Sequence, residues 1–403
     1  MGSHGTDTGL LVLIVGGLLV TALLAKAGLR RIGLPPLVAY LVLGVALRAA
    51  DDSFGILTDE GSRVFAFLAT LGVITLLFRV GLESDVPGLV HQLRSATVIW
   101  LGNVVFSAAA GYAAARYLLG FDAVSSVVVA TAMTATSVGI PARVWQDADA
   151  LDTKEGQRFL DVAELDDLSG VVFMALLFAV LPVLQQKDAG GVAPVVAREA
   201  GLFFLKIAAF SGACVLFSRY AEERCTRFIR RIETGPDPML VVVGLGLLVA
   251  ALAGLLGFSV AIGAFFAGLV FSRDPQCVKV DASFSPLYDL FAPFFFIGVG
   301  LELDPGLGLA AMSVGGVLLL AATAGKLLGS TGPASLFASR RAAVALGVSM
   351  TPRAEIAMLI MHRALGAGVV PPVAYAGMVF VAAGTCLAAP PVLAWMLRSA
   401  AER

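Results

Sequence analysis

Apolar runs long enough to cross a membrane follow one another along almost the whole of this 403-residue chain. Crossing about 30 Å of hydrocarbon takes roughly 20 helical residues, and inside lipid each backbone N–H and C=O must find its partner within the segment. On that basis the sequence predicts about thirteen transmembrane helices, at 9–25, 36–48, 64–82, 95–118, 122–142, 158–184, 195–220, 238–257, 259–272, 285–303, 307–328, 341–364 and 373–397. An all-α polytopic membrane protein is the expected fold class. Composition excludes a water-soluble core: 58% of the residues are hydrophobic and 14% charged, against roughly 25% charged in a soluble domain. A net charge of −1 argues against a nucleic-acid partner. Cys214, Cys225, Cys277, Cys386, His4, His91 and His362 stand singly, without the spacing of a metal or redox centre, so no enzyme of that kind and no cofactor is expected.

Loop charge tests the span count independently of hydropathy. Alternate loops carry eighteen Lys and Arg on one side, including Arg224, Arg227, Arg230, Arg231, Arg273, Arg340 and Arg403. The other side has six: Arg48, Arg63, Arg116, Lys187, Arg198 and Arg363. Positive residues are retained in the cytoplasm, which predicts an N-terminus outside and a C-terminus inside. The chain also repeats. Leu76 to Asp85 reads LLFRVGLESD and Phe295 to Asp304 reads FFIGVGLELD, in the third and tenth spans, and each follows a short span (Pro36 to Arg48, Ser259 to Ser272). An offset of seven spans is odd, so the copies are inverted relative to each other. This predicts one membrane domain over 1–403, with repeat one at about 9–184, a linking helix at 195–220, repeat two at 238–397 and no soluble regulatory domain.

Charges left inside the spans mark the working residues, because each would cost roughly 2.5 to 3.5 kcal/mol at a helix centre without a partner or water. Arg79, Lys206, Lys326 and Arg353 are the basic ones; Glu164, Asp166, Asp167, Asp289, Glu302 and Glu355 are the acidic ones. The run Glu164-Leu-Asp-Asp-Leu-Ser-Gly170 is the most informative. At 1.5 Å per residue from Arg158, Asp167 stands about 13 Å deep. Adjacent residues differ by about 100° around a helix, so Asp166 and Asp167 address different surroundings, while Glu164 shares the face of Asp167. Two close carboxylates in a poor dielectric resist ionising together, and a hard monovalent cation wants the same oxygens as the proton. Competition between cation and proton for one site is the chemistry of an antiporter. Lys326 is the natural counter-charge for Asp166. The fifth and twelfth spans are broken by TAMTATSVGIP (131–141) and SMTPRAE (349–355), and paired interruptions point to a binding site. There the hydroxyls of Thr136 and Ser137 join the two aspartates as candidate cation ligands, and Arg353 and Glu355 are expected to balance helix-end dipoles. Arg79, Glu83 and Glu302 lie near span ends, where interface pairing is expected.

These residues resemble the membrane domain of the second monovalent cation/proton antiporter family, the bacterial sodium/proton exchangers. The resemblance covers nearly the full length. It is carried by RIGLPPLVAYLVLGVAL (31–47), LGVITLLFRVGLESD (71–85), TATSVGI (134–140), LDDLSG (165–170), FSVAIGAFFAGL (258–269), LFAPFFFIGVGLELD (290–304), GKLLG (325–329) and MTPRAE (350–355). It implies an elevator-type antiporter in the inner (plasma) membrane, working as a homodimer with a mobile core bundle. Asp167 matches the cation-binding acid, Asp166 its neighbour, and Lys326 the lysine that salt-bridges Asp166. An Asp-Asp pair with a lysine resembles the electrogenic branch, which exchanges two protons per sodium; potassium/proton relatives more often carry glutamine before the aspartate. A sodium-coupled organic-solute symporter on a similar fold is the rival reading, and would want a polar solute pocket that the sequence does not display. Glu164 and Ala354 depart from the family pattern, Glu164 leaving the number of titrating acids open.

Overall fold

The computed structural model describes residues 3–31, 35–83, 93–151, 153–185, 192–220, 238–255, 260–271 and 277–401. Several residues singled out in the sequence lie outside these: Ser84, Asp85, Lys187, Arg224, Arg227, Arg230, Arg231, Phe258, Ser259, Arg273 and Arg403. The described residues are helical, with no strand among them. In chain order they form α1 (Ser3–Arg31), α2 (Pro36–Phe54), α3 (Asp59–Glu83), α4 (Leu93–Ala113) with a π turn at Ala114–Leu118, α5 (Ala123–Thr134), α6 (Gly139–Asp147), α7 (Lys154–Gln185) and α8 (Val192–Tyr220). The second half holds α9 (Pro238–Leu255), α10 (Val260–Phe271), α11 (Cys277–Leu301), α12 (Gly308–Ala334), α13 (Arg340–Ser349), α14 (Glu355–Gly366) and α15 (Pro372–Ala401). Seven segments among the described residues are long and apolar enough to cross a membrane, the α5–α6 pair counting as one.

The fifth and twelfth spans each resolve into two helices, with unwound backbone around 135–138 and 351–354. Pro141 falls in the first turn of α6, where its missing N–H costs no helical bond. One expectation is corrected in detail: the second span is not a short helix. α2 continues past its apolar run through Arg48 and Asp52, which pair at 3.0 Å one turn apart, and stops at Gly55, whose left-handed φ of 59° closes a C-terminal cap on the Asp51 carbonyl.

The helices form two compact units, residues 1–56, 86–174 and 299–403 in the first and 57–85 and 175–298 in the second. Each takes segments from both expected repeats, and the Val-Gly-Leu-Glu motif explains how. Gly81 of the first copy lies against the Phe265 carbonyl of α10 and next to Gly268, so close that neither glycine has room for a Cβ. Gly300 of the second copy lies in the same way against the Leu41 carbonyl and Gly44 of α2. Each copy therefore seats its glycine on the helix before the other copy's motif. Lipid supplies no hydrophobic drive between helices, so backbone-to-backbone packing of small residues holds them together. Within the first unit, α4 and α12 also meet through glycine. Gly102 approaches Gly329 and Ser107 approaches Gly325, so the two run antiparallel, as equivalent spans of an inverted repeat must.

A core centred on Ile99, Trp145, Phe159, Ala334, Leu346 and Met350 fills the first unit beside the helix breaks. Trp145 stacks on Phe159 at 6.0 Å, and its Nε1 donates to the Ser349 hydroxyl at 2.8 Å, tying the end of α6 to that of α13. The second unit packs Phe78, Ala250, Ala264, Ala267 and Phe271 together.

The entry to the first broken span is capped. Asp122 accepts from the N–H groups of Val124 (2.9 Å) and Ser125 (3.0 Å) and from the Ser125 hydroxyl. Burial alone would push its carboxyl up, but the bonds from Ser125 and Val124 outweigh it and hold it below the usual carboxylate value. Stability from this cap is therefore present above the ordinary carboxylate range and lost as pH falls through the lowered value. Asp122→Ala is expected to cost about 1 kcal/mol, read as a lower melting temperature in detergent at pH 7, with the difference from wild type shrinking as pH falls through the lowered carboxyl value.

Candidate functional site

The site is assembled where both broken spans meet α7, α4 and α12. α5 ends at Thr134, leaving its last carbonyls without helical partners at the negative end of the helix dipole. Lys326, fully buried on α12, supplies one partner. Its Nζ donates to the Thr134 carbonyl at 2.5 Å and to Thr136 Oγ1 at 2.7 Å. Arg353, also fully buried, supplies the next: its Nη1 donates to the Ala135 carbonyl at 2.9 Å. Two cations thus cap one helix end. The two breaks bind each other through backbone, with Ser137 N–H donating to the Pro352 carbonyl at 2.8 Å and the Thr136 hydroxyl to the Met350 carbonyl at 3.3 Å. Glu355 sits in the first turn of α14, where the dipole favours an acid.

On α7 the two aspartates have different surroundings, as the 100° step between neighbours requires. Asp166 is 1% exposed and stands 3.3 Å through Oδ2 from Lys326 Nζ. Its Oδ1 accepts from Asn103 Nδ2 at 2.6 Å. Asp167 and Glu164 are only partly buried. Both carboxylates of the pair act electrostatically on the Lys326 ammonium, and Asp166 acts on Arg353 as well. The ammonium is consequently surrounded by a carbonyl, a hydroxyl and a carboxylate, a set of hard oxygens that also suits a small monovalent cation. Farther along α7, Ser169 Oγ accepts from Trp100 Nε1 at 2.8 Å and donates to the Asp166 carbonyl at 3.0 Å, which anchors α7 to α4.

The residues singled out in the sequence are brought together unevenly. Asp166, Lys326, Thr136 and Arg353 share one connected network. Ser137 enters it through its backbone N–H, and Glu164 and Asp167 line the adjoining face of α7. Away from this centre, Arg79 lies over the Tyr288 ring at 4.7 Å, Glu302 pairs with His362 Nδ1 at 2.8 Å, and Lys206 is exposed on α8. Phe294, Phe295 and Phe296 are buried packing residues. Inspection of charges alone missed Asn103, Ser330 and Thr385. All three are polar residues inside apolar runs, and counting amides and hydroxyls with the charges would have found them. Thr385 Oγ1 accepts from the Arg353 backbone N–H at 3.1 Å and so holds the second break in place.

The transmembrane sodium/hydrogen exchanger family model matches residues 19–399. The high-affinity Na(+)/H(+) antiporter NhaS3 of Synechocystis is 26% identical over 393 residues, covering 94% of this chain and 82% of the relative. The Na(+)/H(+)-K(+) antiporter GerN of Bacillus cereus is 25% identical over 367 residues, with 90% of each chain covered. Among solved structures, the sodium proton antiporter MjNhaP1 of Methanocaldococcus jannaschii at pH 8 shares the fold, with a TM-score of 0.68 over 96% of both chains at 13% identity.

Proposed function

The chain belongs to the sodium/hydrogen exchanger family, and from that premise we propose that it is a secondary active antiporter exchanging a monovalent cation, sodium first, for protons. The observation that carries the reading is the fully buried Lys326–Asp166 pair beside Asp167 at the crossing of two broken helices. Asp167 and Asp166 hold the cation together with Thr136 and Ser137. In the proton-loaded state Asp167 is protonated and Lys326 is charged against Asp166. Cation binding releases one proton from Asp167 and a second from the Lys326 ammonium, so one positive charge replaces two. Exchange is then electrogenic. Glu164, three residues before Asp167 on the same face, serves the path toward it. Arg353 and Glu355 keep the helix ends balanced while the ligands change.

Both breaks, Asp166, Asp167, Lys326 and Asn103 belong to the first compact unit. A site carried whole within one unit is what an elevator movement requires. The protein works as a homodimer in the inner (plasma) membrane, with its N-terminus outside and C-terminus in the cytoplasm, as the loop charges support. Potassium is the second reading for the cation, favoured by the name of the relative GerN, which includes it.

The test is reconstitution into liposomes with an internal pH dye. An imposed sodium gradient should move protons in the opposite direction, and a clamped membrane potential should change the rate. Absence of cation-driven proton movement with sodium, lithium and potassium alike would overturn antiport; exchange indifferent to potential would overturn the two-proton cycle.

A further inference from the structure

The turn between α12 and α13 carries its large apolar side chains on the outside. The N–H groups of Ser335, Leu336, Phe337 and Ala338 donate to the carbonyls of Thr331, Pro333 and Ala334 at 3.0 to 3.1 Å, so the turn is fixed, yet Leu336 is 73% and Phe337 36% exposed. The end of α15 is similar. Ala389 and Leu393 are buried in the same core as Ala343 and Leu346 of α13, whereas Trp395 is 71% exposed. Two arginines follow the turn directly. Arg341 Nη2 donates to the Met396 carbonyl at 2.8 Å, which ties the start of α13 to the chain beside Trp395, and Arg340 next to it is exposed. These elements hold no acid to balance them. The sequence has no Asp or Glu from residue 305 to 354 or from 356 to 401, so α12, the turn, α13 and α15 offer none. α6 also packs on α15 and ends in Asp147, but that carboxylate is paired with Arg143 at 2.9 Å.

We infer that this corner seats an anionic phospholipid, with Arg340 and Arg341 on its phosphate and Leu336, Phe337 and Trp395 at the depth of its glycerol and upper acyl chains. Exposed apolar side chains at the ends of spans say only that lipid is near. An indole belongs at headgroup level because that layer is apolar on one side and wet on the other. The arginines choose among lipids. Both belong to the larger of the two loop-charge sets, and basic pockets between transmembrane helices on that side of a membrane take anionic headgroups. A guanidinium meets a phosphate through two parallel N–H···O bonds. In a zwitterionic lipid that phosphate is already balanced by the headgroup's own cation, whereas in an anionic one it is left for the protein. The carbonyl bond from Arg341 holds its guanidinium in place before lipid arrives, so little side-chain freedom is lost on binding. The inference does not depend on which ion is exchanged.

The experiment reads Trp395 itself. Wild type, Arg340→Gln, Arg31→Gln and Trp395→Phe are reconstituted in phosphatidylcholine vesicles that contain a rising mole fraction of phosphatidylglycerol brominated on its acyl chains, or of phosphatidylcholine brominated in the same way. The quenching that disappears in Trp395→Phe is the signal of Trp395, free of the buried Trp145 and the half-buried Trp100. In the wild type, brominated phosphatidylglycerol is expected to reach half-maximal quenching at about a tenth of the mole fraction that brominated phosphatidylcholine needs. Each arginine near the surface strengthens attraction to anionic lipid about fivefold, so Arg340→Gln should cut the preference by about that factor. Arg31, an exposed arginine of the same loop-charge set on α1, is the control, and Arg31→Gln should leave the preference unchanged. Because Arg340 is exposed, its replacement leaves the packing intact. Equal quenching by the two lipids in the wild type, a preference that survives in Arg340→Gln, or one that falls as much in Arg31→Gln would each overturn the inference. So would a Trp395 that neither lipid quenches, because protein would then cover the corner.

Discussion

Asp167→Asn is expected to abolish cation-driven proton exchange while leaving the protein folded. Asparagine has nearly the shape of aspartate but neither its charge nor its exchangeable proton. Asp167 is only partly buried and points about 100° around α7 from Asp166, so the change leaves the buried Asp166–Lys326 ion pair in place. Losing a charged ligand contact worth about 3 kcal/mol corresponds to about a hundredfold in rate. Loss of the proton carrier compounds this, since the variant can no longer alternate between the two substrates. The measurement is liposome flux for wild type and variant, alongside thermal unfolding in detergent. Exchange persisting within tenfold of wild type would reassign the cation site, with Glu164 the next acid on that face. A collapsed melting temperature would show a structural role for Asp167.

Lys326→Met carries the largest expected stability effect. Methionine keeps the length and apolar stem but removes the ammonium, leaving the buried Asp166 carboxylate without its ion-pair partner and the Thr134 carbonyl and Thr136 hydroxyl without their donor. Removing one member of a buried pair typically costs about 3 to 5 kcal/mol, most of it for the stranded charge. Adding Asp166→Leu should restore much of the stability, since replacing both members of a buried pair by apolar residues is often neutral. Thermal unfolding of the wild type and the two variants in detergent reads this directly. Equal stability of Lys326→Met and wild type would mean that the pair contributes no net stability. Any exchange left in Lys326→Met should have lost its dependence on membrane potential, because the second proton carrier is gone.

Much of this molecule is legible in a single sequence because lipid imposes simple rules. Most spans are unbroken apolar runs, so they could be marked off from hydropathy and checked by loop charge. The few charges inside them stood out because the membrane makes them costly. The breaks at 131–141 and 349–355 were visible as hydroxyls, glycine and proline where a helix should have continued. The end of α2 was misplaced because hydropathy reports where lipid stops, whereas the helix runs on until Gly55 ends it.

The sequence by itself determined an all-helical membrane fold, a doubled Val-Gly-Leu-Glu motif and a small set of buried charges including Asp166, Asp167 and Lys326. Only the tertiary structure decided how these connect. It showed that the motif glycines seat each repeat on a helix of the other. It also showed that the Thr134 carbonyl shares the Lys326 ammonium with Asp166, and that Asn103 and Ser330 hold the far side of that carboxylate. The physical reason is that such contacts join residues up to some two hundred positions apart, and several run through backbone atoms that every residue has. A carbonyl freed by an unwound turn looks like any other carbonyl in a sequence. It becomes a ligand only when the fold brings a buried cation to it.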